Sequence, residues 1–395
     1  MKKYFKKILK NKVLLIILLL TLIAFPTALV RPAQGEVTTI VIGLGIDKKD
    51  EEFYISIQYA DESTNTQETS KLNVISDSGK TIAQCFSNLK RKSGKEIGFE
   101  HCNLVILSDA VTSENCKTVL DTLYRKANIS LNAFLVSTDI SAKDILLKSA
   151  DLENSSSSSL QNNLGFNKEK YTTSGLTTLG DFFKDFYSQS KYSKMAFIKS
   201  EEPKEDQNET NPDKQVKNEG KTSIFKEGKK IALVNQDITK GINWLNEKNL
   251  VGTIIAQNVT DDKYYNNATV SLYMSNSTIS VKPKIENDVL VLVAKIKVYV
   301  DVVEVLQDKN NIDLNTGYKS YLTDNLKQNV SNVITGEIQG AVDFSKENFV
   351  DVCKFKDRFY KYKTSDYKKW LETHTDEDVY KFAKVNVEVE VFYYK

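Results

Sequence analysis

The residues best suited to chemistry in this chain are two histidines and four cysteines, so any catalytic or metal-binding reading begins with them. His101 stands directly before Cys102. A thiol–imidazole pair needs proximity in space rather than in sequence, and a third group to orient the base; no neighbouring residue supplies one. His101 reads as a residue at the start of a strand, its ring hydrogen-bonded locally. His374 lies in Glu372-Thr-His-Thr-Asp-Glu-Asp378, which reads as a solvated acidic loop. Calcium would require a full oxygen cage with a defined loop pattern, and that pattern is absent. Cys85 shares a helical stripe with Ile82, Phe86 and Leu89, and Cys116 shares one with Val119, Leu120 and Leu123. Both read as buried thiols. Cys102 and Cys353 complete the set, and no Cys-x-x-Cys pair points to zinc. A disulfide among Cys85, Cys102 and Cys116 stays open if this part of the chain lies outside the cell. No catalytic, metal-binding or cofactor-binding residue is assigned.

Gly43-Leu-Gly45-Ile-Asp47 invites a phosphate-binding reading. The third glycine is missing, and a strand follows where a helix should begin. The segment reads instead as a strand end where glycine permits close packing and Asp47 starts a turn. The Asn-x-Ser/Thr triplets follow from abundant asparagine, and Trp244 and Trp370 sit in amphipathic segments as core residues.

The elements around these residues follow from periodicity. Thr38–Ile46 and Phe53–Ala60 read as a hairpin, with Asp47–Asp50 as its turn. Residues 61–70 form a loop. A helix over 80–91 ends at Gly94, Asn103–Ser108 is a strand, 112–126 is a helix, Leu131–Ser137 is a strand and Ala142–Lys148 is a short helix. That alternation predicts an N-terminal α/β unit with a mixed sheet. The serines at 155–159 read as a flexible connection. Leu179, Phe182, Phe183 and Phe186 form a helical stripe before a strand at Met195–Lys199. Ser200–Lys221 is almost devoid of apolar residues and predicts a mobile boundary. Beyond it come a strand at Ile231–Val234, a helix carrying Ile238, Ile242 and Leu245, and a strand at Val251–Ala256. Thr269–Met274, Thr278–Lys284 and Val289–Val303 read as an antiparallel meander. Ser320–Ala341 is a long amphipathic helix, and Val385–Val391 alternates as a sheet with one wet face requires. The fold class is α+β: an N-terminal α/β unit over 36–199, the acidic stretch 200–221, and an α+β unit over 222–395 with an antiparallel or mixed sheet packed on the long helix. A further division near residue 265 stays open.

Composition excludes other classes. The chain has 395 residues with 54 Lys and Arg against 52 Asp and Glu, a net charge of +2, which supplies no general cation excess for a nucleic acid. Seven of those cations and no acid fall in residues 1–35, leaving 47 cations against 52 acids in the rest. The leader continues into Val13–Val30, 18 residues without a charge. That length is near the minimum for crossing a hydrocarbon core, and the preceding lysines set an N-inside orientation. A retained membrane anchor is the reading favoured over a cleaved signal peptide, because Arg31 and Pro32 flank the small residues Ala33-Gln34-Gly35 poorly for cleavage. No cysteine follows the apolar stretch to accept a lipid.

The order of these segments resembles the Ger(x)C family, the C subunits of nutrient germinant receptors in endospore-forming bacteria. Gly43-Leu-Gly-Ile-Asp-Lys-Lys49 with Tyr54–Gln58 is similar to that family's opening hairpin. The helix at Thr81–Leu89, His101 leading into Leu104–Leu107, Leu120–Arg125 and Ile140–Leu147 follow in family order. Ile224–Ile231, the long helix, Asp343-Phe344, Tyr367–Trp370 and the terminal strand resemble its C-terminal part. The match covers about 38–395 and departs at the leader, where the family usually carries a lipoprotein cysteine. The resemblance implies a non-enzymatic subunit on the outer face of the spore inner membrane, beside integral-membrane A and B type subunits, in a complex that senses small-molecule germinants. It implies no cofactor and no catalytic residues. The alternatives are an extracytoplasmic solute-binding protein, which needs a cleft between similar lobes, and a secreted hydrolase, which needs a converging nucleophile, base and acid.

Overall fold

The computed structural model of the chain describes residues 38–60, 72–151, 170–200, 216–307 and 318–394. The anchor segment Val13–Val30, the loop at 61–70 and the serine run at 155–159 therefore lie outside the described residues.

The chain opens with β1 (Thr38–Lys49) and β2 (Glu52–Ala60), paired antiparallel. Strand pairing runs on to Lys49, so the turn is Asp50-Glu51 rather than Asp47–Asp50. Both turn residues have positive φ, 49° and 64°, and that handedness matches the twist of a two-residue hairpin. β3 (Leu72–Gly79) adds a third antiparallel strand that the periodicity did not signal. Helix α1 (Ile82–Ser93) follows, capped by Thr81, whose side chain accepts the N–H of Gln84, and closed by Gly94 at φ 66°. Then come β4 (Glu96–Gly98), β5 (Leu104–Ser108), the short α2 (Asp109–Thr112), α3 (Lys117–Ala127), β6 (Phe134–Thr138) and α4 (Ala142–Asp151). The helix expected over 112–126 is thus split, with Cys116 just before α3. β7 (Lys170–Tyr171), β8 (Thr177–Thr178), α5 (Leu179–Phe186) and β9 (Tyr192–Ser200) complete the first half.

The acidic stretch does not separate the sheets. β10 (Val216–Lys226) pairs antiparallel with β9 from Val216↔Ser200 to Lys226↔Tyr192, and β11 (Lys229–Val234) pairs with β10. Residues 216–221, expected within the connection, are therefore strand. Backbone hydrogen bonding to β9 overrides their polar composition, and a bulge between Asn218 and Thr222, with Gly220 at φ 68°, absorbs the extra length. The first sheet runs β11-β10-β9-β6-β5-β1-β2-β3, with β4 on β1 and β8 on β6. β1, β5, β6 and β9 are mutually parallel where they pair. This is a mixed sheet with helices on both faces. One face packs Cys85, Leu89, Leu120, Leu123 and Phe182 against Val105 and Leu135. The other packs Ile145 and Leu146 of α4 against Leu104, Ile106 and Val136. Covering both faces explains the uninterrupted apolar run of β5.

The second core belongs to α6 (Gln236–Asn246), β12 (Leu250–Val259), β13 (Ala268–Glu286), β14 (Val289–Leu306), the short α7 (Tyr318–Tyr321), α8 (Asp324–Glu347), α9 (Phe355–Tyr362), α10 (Thr364–Leu371), α11 (Asp378–Phe382) and β15 (Ala383–Tyr393). The two strands expected at Thr269–Met274 and Thr278–Lys284 are one strand of 19 residues, β13, bulged between Met274 and Asn276. The bulge preserves pairing with β14 through the polar Ser275–Ser277 step, which had read as a break. The second sheet is β15-β14-β13-β12-β7, antiparallel except for the parallel pairs β14–β15 and β12–β7. Leu326, Val330, Ile334, Ile338 and Ala341 of α8 are buried in this core, as the stripe predicted. The architecture is the expected α+β class, with a mixed sheet in each half.

Candidate functional site

The glycine segment at the end of β1 seats a helix. A Cβ at Gly45 would lie 3.1 Å from the backbone carbon and Cβ of Ala142 in α4, and one at Gly43 would lie 3.1 Å from Leu146 Cδ2. Asp47 does not start a turn. Its Oδ1 accepts the N–H of Ala142 at 2.8 Å, and its Oδ2 accepts the N–H of Lys143 at 3.1 Å and the hydroxyl of Ser141 at 3.2 Å. Asp47 thereby caps the N-terminus of a remote helix.

His101 and Cys102 point to different environments. His101 is exposed in a turn and makes no hydrogen bond among the described residues, contrary to the expected local bond. Cys102 is fully buried and points its Sγ at the Leu104 carbonyl, 3.5 Å away. All four cysteines are buried and unbridged. Burial pushes the thiols up, to about 11 for Cys85 and about 12 for Cys102 and Cys116, against an ordinary value of 9.0. Such thiols are poor nucleophiles.

His374 is not in a solvated loop. Its ring stacks on Trp370 at 4.2 Å with 4° between planes. Its Nδ1 lies 3.0 Å from the Trp370 carbonyl, and its Nε2 lies 3.3 Å from Asp288 in the β13–β14 turn. The i, i+4 spacing at the end of α10 makes the stack geometrically natural. Trp370 and Trp244 are buried as expected. The two histidines lie in different halves of the chain, and no group of three His, Cys, Asp or Glu among the described residues is placed to hold a metal ion.

The polar site the structure does assemble lies where the two halves meet. A cleft of about 470 Å³ is bounded by β6, β8, α5 and β9 on one side and by β7, α6, β12 and Lys354 on the other. Lys194 of β9 is 5% exposed. Its ammonium donates to Asn243 Oδ1 at 2.6 Å and to Glu247 Oε1 at 3.1 Å. Asn243 in turn donates to the carbonyls of Thr172 at 2.7 Å and Ser174 at 2.8 Å. On the same wall, Asp185 of α5 accepts from the Lys354 ammonium at 2.6 Å. Burial raises the Asp185 carboxyl, while the charges of Lys354 and Lys194 pull it back. Phe134, Leu176 and Leu250 give the cleft an apolar patch. A cleft of this size, mostly formed by elements of the fold and carrying a few fixed polar groups, is suited to a small ligand.

Buried ties hold the halves around this cleft. Asp351, fully buried, accepts from the Ser190 hydroxyl at 2.7 Å and from the N–H groups of Phe355 at 2.8 Å and Lys356 at 2.9 Å, capping α9. Burial raises its carboxyl as well. Asp357 adds to the tie by accepting the N–H of Gln189 at 2.7 Å, while Arg358 donates to the carbonyls of Leu245 and Cys353 within the second half.

The sequence reading passed over Lys194, Asn243, Asp185, Glu247 and Lys354. One signal was present: Lys194 shares a strand face with Tyr192, Ala196 and Ile198, and Asn243 interrupts the apolar run Ile242, Trp244, Leu245. A charge and an amide at core positions imply partners in a buried polar network.

Residues 36–200 match the spore germination protein N-terminal domain, and residues 220–392 match the C-terminal domain described as spore germination B3/GerAC like. The chain is similar in fold to the crystal structure of the GerBC protein, with a TM-score of 0.53 at 14% identity, over 89% of this chain and 97% of that one. Comparison with curated proteins gives no match.

Proposed function

Because the chain belongs to the Ger(x)C family of spore germination proteins, we propose that it is the non-catalytic C subunit of a nutrient germinant receptor. Its body lies on the outer face of the spore inner membrane and acts by contact with integral-membrane A and B type subunits, in a complex that senses a small-molecule germinant. The observation that carries this reading is the ordered pair of family matches, 36–200 followed by 220–392. The polar cleft fits a role without bond-making: its buried charges are tied to each other, Lys194 to Glu247 and Lys354 to Asp185, and no cysteine or histidine lines it.

Val13–Val30 is the tether in this proposal. No described helix is long and apolar enough to cross a membrane. Confinement by the leader to the membrane of the partner subunits would raise their effective concentration around the body. The body comprises the two matched regions, 36–200 and 220–392, with β10 and β11 of the second completing the sheet of the first.

The test is a deletion strain complemented with a tagged full chain. Loss of the response to one nutrient class, restored by the tagged chain, with two multispanning proteins co-purifying from spore inner membrane, is the expected result. Normal nutrient germination in the deletion strain, or recovery of the chain without membrane partners, would refute the proposal. Mass spectrometry of the native protein should also find residues before Gly35, since a retained tether keeps them.

A further inference from the structure

Each sheet ends in strands with one unpaired side, and three of the four ends are guarded. β3 gives its Ser78 and Ser76 carbonyls to Asn88 and Lys92 of α1, at 2.8 and 2.7 Å. β11 has six residues and opens on Lys229-Lys230, short and charged as a protected edge is. β7 has only two residues. β15 is different. It closes the second sheet with 11 residues, without proline and without a bulge in its pairing to β14. Its inward side chains are the half-buried Val385, Val387 and Val389, packed on the second core, and none is charged. Among the described residues no strand pairs with its other side. A long, regular edge of this kind presents a row of open N–H and C=O groups to another strand.

The charges on the outward face select the occupant. Glu388 and Glu390 each give one carboxylate oxygen to β14, to Lys295 at 2.6 Å and Lys297 at 3.0 Å. Lys384, exposed on the same face, has no ion-pair partner among the described residues. A second β15 laid antiparallel about Val387 sets Lys384 opposite Glu390 and Asn386 opposite Glu388, each twice by the two-fold axis. On the inward face it sets Val385 opposite Val389, and Val387 opposite its own copy. The second oxygen of each carboxylate then meets a donor, and charge alternates across the row Lys297, Glu390, Lys384. Centring the pair on Glu388 would set that carboxylate against itself, and centring on Val389 would set Glu388 against Glu390. Centring on Asn386 leaves Glu390 and Val391 beyond the overlap. We propose that β15 is the interface of a symmetric dimer, in which the second sheets of two copies join edge to edge into one continuous sheet. This interface goes beyond the receptor-subunit reading and does not require the partner subunits.

Sedimentation of the purified full chain in density-matched detergent tests it, with Lys384→Glu and Glu390→Lys as variants and thermal melts to verify that both fold. The unaltered chain should show a concentration-dependent dimer. Each variant alone sets like charges opposite each other at both symmetric positions, and its dimer dissociation constant should rise about tenfold. An equimolar mixture of the two variants restores opposite charges at both positions and should dimerise more tightly than either variant alone. Val387→Cys should form a disulfide with its own copy under mild oxidation, whereas Val385→Cys, which faces Val389, should not; the four native cysteines are buried and do not compete. A chain that stays monomeric from micromolar to submillimolar concentration would overturn the proposal. So would a dimer indifferent to both charge reversals, whose interface would then lie on another surface such as the leader, or a mixture no tighter than its parts. These outcomes are read without partner subunits or spores, so they leave the receptor-subunit reading to its own test.

Discussion

Asp47 caps a helix that begins with Ala142, 95 residues further along the chain, through a 2.8 Å hydrogen bond from the Ala142 N–H to Oδ1. The same carboxylate takes the Lys143 N–H and the Ser141 hydroxyl. Removing it in Asp47→Ala leaves first-turn N–H groups unsatisfied, and the expected cost is about 0.5–2 kcal/mol. Gly45→Val adds side-chain atoms where even a Cβ sits 3.1 Å from the Ala142 backbone, at about 1–3 kcal/mol. Urea unfolding of both variants checks the pair. A neutral Asp47→Ala would show that α4 is held by its apolar face alone.

Helices α6 and α8 touch at Gly241. A Cβ there would fall on the carbonyl oxygen of Glu337, whose carboxylate accepts the Trp244 indole N–H at 2.7 Å and pairs with Lys240 at 3.2 Å. Gly241→Ala should therefore destabilise the chain by about 3 kcal/mol, the upper part of the overpacking range, even though alanine is the better helix former by about 1 kcal/mol. A gain in stability, read by thermal melt, would mean that the helices slide apart freely.

Leu326 is fully buried in α8. Leu326→Ala should cost about 2–5 kcal/mol from lost transfer energy and the cavity left behind. His101→Ala, at an exposed turn position, should stay within about 0.5 kcal/mol and leave nutrient germination intact. Melts of the purified chains and a germination assay on the corresponding strains read both. Loss of germination in a folded His101→Ala protein would assign that ring a contact with a partner or ligand.

The four thiols should resist alkylation in the native chain at pH 8 and all react once it is unfolded. Burial raises Cys85 to about 11 and Cys102 and Cys116 to about 12, so the folded state holds these protons more tightly than the unfolded state, where the ordinary value is 9.0. The unfolded chain then binds fewer protons above pH 9, and stability falls with rising pH. The contribution is complete below pH 9 and is lost as pH rises toward 11 and 12. Urea midpoints at pH 7, 9 and 10.5 should fall in that order. A midpoint that does not decline above pH 9 would contradict neutral buried thiols.

The elements with one dominant periodicity were legible from residues alone. The stripe of α8, the pairing of β1 with β2 and the Gly94 end of α1 stand where spacing put them, although the hairpin turn falls later than expected, at Asp50-Glu51. Positions whose role depends on distant chain were not. Asp47 looked like a turn former because its partner helix lies 95 residues away. β3 carries Asn73, Ser76, Asp77 and Ser78, which hide a strand whose backbone pairing with β2 is complete. His374 sits among acids in sequence, yet the end of α10 folds its ring onto Trp370. The cleft was invisible for the same reason: Lys194, Asp185, Asn243 and Lys354 come from four separate elements or connections, and only the packing of the two halves brings them to one cavity.

The pairing of β9 with β10 across residues 201–215 separates covalent continuity from structural unity. β10 and β11 belong by sequence to the C-terminal family match, yet they complete the sheet of the N-terminal one. A chain broken within 201–215 should still behave as one particle, because the second fragment lends two strands to the first. Two separately translated pieces should complement each other as a split protein. A second fragment made alone would expose the β10 edge that normally meets β9, and an uncovered edge of that kind recruits other strands. Insertions, tags or fluorescent reporters placed between 201 and 215 should be tolerated for the same reason that the break is, since the join is made by the sheet and not by the peptide that links its strands.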